Sequence, residues 1–183
     1  GVFYPDYFGK NFILNDLTHE GGLTAIRIEG PSNSVDQRLE RLSKELSLID
    51  QELSILDNAQ SKIFWDRTKN LEVFKSIKSN LIRVVVPISE TLQVIKKLKD
   101  HKIKYFIDWG GSLIWASFDQ LNSKILSEIK ELVKKHQGYV TLIKIEEDLK
   151  ASADIFTIDP IKYKISEKIK RSFDPKRIFN PGK

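Results

Sequence analysis

The chain has 183 residues, 40% of them apolar, with ten Phe, five Tyr and three Trp. That is enough apolar mass for a packed core, and it excludes a chain that is disordered throughout. Cysteine is absent, which excludes disulfides, thiolate metal sites and cysteine nucleophiles, and the net charge of +5 fits a Lys-rich solvated surface better than a dedicated nucleic-acid face.

Position 1 is Gly and no Met occurs anywhere, which reads as a processed product or a piece of something longer. No apolar run approaches the ~18 residues that would span a membrane. No signal-peptide pattern opens the chain. The expected location is cytoplasmic.

Residues 1–22 read as irregular and aromatic, with Phe3, Tyr4, Tyr7, Phe8 and Phe12 packing against something rather than trailing free. Leu23 to Glu29 alternates well enough for a strand. After the Gly30-Pro31-Ser32 turn, Asn33 or Ser34 would cap a helix carrying Val35, Leu39, Leu42 and Leu46. Leu53 to Leu56 reads as a short strand, and Asn58 to Lys69 as a second helix bearing Phe64 and Trp65.

The second half is more regular. Leu81 to Pro87 reads as a strand. Ser89 would cap a helix with Leu92, Ile95 and Leu98 on one face. Lys104 to Asp108 and Leu113 to Phe118 flank Trp109-Gly110-Gly111-Ser112, the pattern of a hairpin. Asn122 to His136 is helical, with Ile125, Ile129, Leu132 and Val133 inward, and Gly138 ends it. Tyr139 to Ile145 is a strand. A last helix starts at Pro160 behind a capping Asp159, with Ile161, Ile165 and Ile169 as its buried stripe.

The order of these elements predicts an α+β fold: a mostly antiparallel sheet covered by helices on one side, of ferredoxin-like type, with a C-terminal helix and tail. The expected organisation is an N-terminal segment at 1–22, an α+β body at 23–150, and the terminal helix and tail at 151–183.

The residues alone supply few candidate sites. His19, His101 and His136 lie apart and read as solvent-exposed; no metal site is assigned. No nucleophile–base pair or carboxylate dyad stands out. In Phe64-Trp65-Asp66-Arg67 an aromatic pair precedes a fixed cation, and Arg67 could bind a carboxylate through its planar fork. The alternative is that Trp65 is core and Arg67 pairs with a local acid. Trp109 and Trp115 read as core or sheet-face packing.

The ending F-D-P-K-R-I-F-N-P-G-K, Phe173 to Lys183, is more specific. Its prolines stiffen two turns, and the apolar pair Ile178–Phe179 would hold the tail against a surface. This D-P-x-x-x-x-N-P-G-K pattern after a helix resembles the C-terminal signature of FAD-linked oxidases of the vanillyl-alcohol oxidase type. Within that family the body is most similar to E subunits of bacterial glycolate oxidases. The residues that carry this are Thr24–Pro31, Phe64–Asn70, Ile82–Pro87 and Ile107–Trp115.

The resemblance implies a C-terminal cap domain working with an FAD-binding domain upstream, which would hold most of the FAD. It implies Asn180 as a residue beside the flavin and Arg67 as a substrate contact. It implies a small 2-hydroxy acid such as glycolate as substrate, and the other subunits of a glycolate-oxidase-like complex as partners. The chain lacks the paired-His and Glu-His constellation of the catalytic subunits, so this part is not expected to oxidise substrate alone. The competing expectation is a non-enzymatic α+β module that binds a protein or RNA through its sheet face or through basic helices bearing Lys96, Lys97, Lys99, Lys134 and Lys135.

Overall fold

The computed structural model describes residues 1–8, 21–49, 53–75, 80–118, 123–145 and 160–179. Within them, six strands form one sheet: β1 (Val2–Tyr4), β2 (Leu23–Ala25), β3 (Asn80–Val85), β4 (Lys104–Asp108), β5 (Leu113–Phe118) and β6 (Tyr139–Lys144). The helices are α1 (Ser32–Leu46), α2 (Asn58–Lys69), α3 (Thr91–Asp100), α4 (Ser123–Lys135) and α5 (Pro160–Phe173).

The strand order is β2-β1-β4-β5-β3-β6, and every neighbouring pair is antiparallel. From β3 to β6 the chain runs β-α-β-β-α-β. Each helix crosses over one strand, which is the ferredoxin-like arrangement. The expected α+β fold is therefore the observed one, with β1 and β2 extending the sheet beyond β4.

The period-two pattern of β3 explains how the sheet is covered. Ile82 and Val84 point to one face, where they meet Val94 and Leu98 of α3 and Ile129 and Val133 of α4. Each of these six side chains is essentially inaccessible to solvent. Burying each contributes about 1.5–3 kcal/mol relative to leaving it in water. Leu81 points to the other face, into a second cluster with Val2, Tyr4, Phe64, Phe74 and Phe106. The helices α3 and α4 thus share one face, as expected, while α2 lies on the opposite face over β1 and β4.

Five local expectations differ from the structure. Residues 2–4 are a strand rather than irregular chain: Phe3 pairs with Ile107 of β4 and with Thr24 of β2. Leu53 to Leu56 joins no ladder; Leu53 and Ile55 are exposed, and Asp57 caps α2 in a reciprocal box with Gln60. Leu92 is exposed, because α3 buries Thr91, Val94, Ile95 and Leu98. A strict three-residue spacing drifts around a 3.6-residue turn, so Leu92 falls off the buried stripe. Ile161, Ile165 and Ile169 of α5 are exposed, and α5 buries no residue among those described. Ser89 does not cap α3; a 3-10 turn over Ile88–Glu90 precedes it.

Candidate functional site

The tail turns sharply after α5, and Asp174 is the reason. Its backbone N–H continues the helix by donating to the carbonyl of Lys170 at 2.7 Å. Its two carboxylate oxygens then accept the N–H groups of Ile178 and Phe179, each at 2.9 Å. Pro175 cannot continue the helix hydrogen bonding, so the carboxylate supplies the acceptors that a helix turn would have supplied. Arg177 takes a left-handed backbone, φ 51°, and its guanidinium reaches Glu167 at 3.1 Å. The side chain of Asp174 is thereby consumed by the turn, and the residue is only 7% exposed.

The apolar pair beyond this turn differs from expectation. Ile178 and Phe179 are 67% and 70% exposed, so no surface among the described residues receives them. Asn180 lies outside the described residues, as do His19 and Asp159.

Arg67 stands in the last turn of α2, about one-third exposed, with its Nε 3.8 Å from the carboxylate of Glu72. Lys75 shares that carboxylate at 2.9 Å. An acid therefore stands beside Arg67, as the local-pairing alternative has it. Trp65 is partly buried edge-on against Phe64, with ring centroids 5.1 Å apart, and Arg27 lies 6.0 Å from its centroid.

Two histidines are more enclosed than expected. His136, at the end of α4, has its Nδ1 2.5 Å from Glu90 ahead of α3. His101, at the end of α3, has its Nε2 3.5 Å from Glu128 of α4, and Lys97 holds the same carboxylate at 2.5 Å. The 3.5 Å contact is too long for a hydrogen bond, in keeping with the buried Nε2 lacking a hydrogen-bond partner. These pairs fasten α3 to α4. Among the described residues no three His, Cys, Asp or Glu side chains gather as a metal site would require.

The polar feature that sequence reasoning missed lies on the sheet face opposite α3 and α4. Arg83 of β3 stands directly across from Trp115 of β5 and Thr141 of β6. Residues paired this way project from the same face. The guanidinium carbon is 4.8 Å from the ring centroid of Trp109 and 6.0 Å from that of Trp115. Trp109 was expected in the core or packed on the sheet; instead it is 56% exposed and rests on Arg83. Its backbone is left-handed, φ 51°, held there by the Asp108 carboxylate, which accepts its N–H at 2.7 Å. Arg83 and Trp109 are 26 positions apart, and only the β3–β5 register brings them together; neither segment by itself signals the pair.

Tyr4 and Tyr7 have hydroxyls pushed well above the usual phenol range, chiefly by burial. Both serve as hydrogen-bonding groups in the frame: Tyr4 donates to Thr68 Oγ1 at 2.9 Å.

No family model matches the chain, and no curated protein matches it. No helix among the described residues is long and apolar enough to cross a membrane.

Proposed function

We propose that this chain is the cap part of an FAD-dependent oxidoreductase subunit that acts in the oxidation of a 2-hydroxy acid such as glycolate. The observation that carries the reading is the ending: a helix, an Asp-Pro turn and an Asn-Pro-Gly-Lys close. It resembles the C-terminus of FAD-linked oxidases of the vanillyl-alcohol oxidase type.

Three features support it. The fold is a sheet with helices packed over it, a shape suited to roofing a flat ring. The opposite sheet face is open over β3 and β6, where Tyr139 and Ile143 are about half exposed and Thr141 partly so. Asp174 fixes the first half of the tail by two backbone hydrogen bonds.

In this reading FAD supplies the hydride acceptor, and a separate FAD-binding domain holds most of it. This chain contributes Asn180 near the ring and Arg67 toward the substrate carboxylate. The other subunits of a glycolate-oxidase-like complex carry the metal-linked steps. The proposed location is cytoplasmic.

The test is thermal denaturation of the complete gene product with and without added FAD. A ligand that binds only the folded state raises the midpoint, by the equivalent of about 2.7 kcal/mol at one hundred times Kd. A midpoint that FAD leaves unmoved, in protein that purifies without flavin, removes the reading.

A further inference from the structure

We propose that Arg83, clamped by Trp109 and Trp115 on the open face of the sheet, is a binding site for a carboxylate. The inference does not depend on the flavin reading, because it rests on the side chains of this face alone.

An arginine that is partly buried needs partners for its five N–H groups. Among the described residues Arg83 makes no ion pair and no hydrogen bond, and its Nε is buried without an acceptor. Its contacts are the two indole rings, at 4.8 and 6.0 Å. A ring face attracts the cation and fixes the guanidinium, but offers no acceptor to its N–H edge. The fork is thus oriented and unfilled. Buried donors left this way are rare enough to need a reason.

The setting is built rather than incidental. Trp109 sits in a backbone region that non-glycine residues seldom occupy, and such strain gathers at working sites. Its conformation is secured by the Asp108 carboxylate below and by Ser112, whose hydroxyl donates to the Trp109 carbonyl at 3.3 Å. Asp108 is engaged with the Trp109 N–H and makes no ion pair with Arg83. Thr141, directly across the β3–β6 pair, projects from the same face. A carboxylate matches the fork with two parallel hydrogen bonds.

The face is a shelf rather than a closed cavity, so binding to this chain alone is expected in the range of about 1–10 mM. The experiment is an NMR titration of the 15N-labelled chain, following the Nε–H resonance of Arg83 as sodium glycolate is added, with sodium chloride at matched ionic strength beside it. The site predicts a saturable shift with glycolate and none with chloride. Tryptophan fluorescence changes over the same range. Arg83→Lys keeps the charge, loses the fork and weakens binding about tenfold. A third arm adds a capped glutamate peptide: tighter binding than glycolate assigns the carboxylate to a protein partner, weaker binding to a small acid. An Nε–H resonance that stays still in both carboxylate arms, or moves equally in chloride, overturns the proposal without recourse to any variant.

Discussion

One hydroxyl of Tyr7 satisfies both backbone groups of Tyr105: it donates to the Tyr105 carbonyl at 2.7 Å and accepts from the Tyr105 N–H at 2.7 Å. Beyond Tyr4 the first strand has ended, and β4 would otherwise present an unpaired edge there. Tyr7 stands in for the missing strand residue. Tyr7→Phe keeps the ring and strips both partners, so it should destabilise the fold by about 1–3 kcal/mol. Urea denaturation measures this, and the Tyr105 amide should lose hydrogen-exchange protection. Unchanged protection would show that water replaces the hydroxyl at no cost.

Two glycines should behave differently. A Cβ at Gly138, between α4 and β6, would lie 2.4 Å from the Val85 carbonyl oxygen and 2.4 Å from Val86 Cγ1. Gly138→Ala therefore forces the backbones apart and should destabilise by about 3 kcal/mol or more. Gly110, at φ 63°, has no atom within 4 Å of a built Cβ. Gly110→Ala meets only the left-handed backbone penalty of about 1–2 kcal/mol. Equal losses in the two variants would contradict this packing.

The α3–α4 contact carries a pH dependence through Glu128. Its carboxyl is held below the ordinary carboxylate value, first by the hydrogen bond from Lys97, against a smaller opposing effect of desolvation, with His101 adding to the shift. A carboxyl with a lower pKa in the folded state binds fewer protons there than in the unfolded chain. Its stabilisation is therefore complete above the unfolded carboxylate pKa and is lost as pH falls through the folded value. Glu128→Gln should flatten that part of the acid limb in pH-dependent thermal melts. The difference between variant and parent should shrink in high salt, because the pair is solvent-accessible.

The tail depends on Asp174. Asp174→Ala removes the acceptors of the Ile178 and Phe179 N–H groups, and those two amides should exchange at open-chain rates. Asp174→Asn, which keeps one carbonyl oxygen, should restore part of the protection. Global stability should hardly move, since α5 buries nothing among the described residues. A large drop in melting temperature would mean that the turn supports more than itself.

The regular second half was legible because its periods are clear. The alternation of β3 marks a two-faced sheet, and the apolar runs of β4 and β5 on either side of the Gly-Gly turn specify a hairpin. The strand β1 was not legible: three residues ahead of Pro5 cannot show alternation, and Val2 and Tyr4 acquire a buried face only from β2, β4 and α2. The stripe of α5 shows the converse limit. Spacing announces an apolar face at Ile161, Ile165 and Ile169 but not what covers it. Arg83 is legible as a charge within an apolar strand; its contact with two indole rings needs the register that carries Trp115 and Trp109 to its sides.

The most direct test of the central reading is the visible absorption spectrum of the complete gene product, purified without added cofactor. Flavin bands are expected that persist through gel filtration and weaken in Asn180→Ala. A colourless protein that takes up no flavin when FAD is supplied would contradict it.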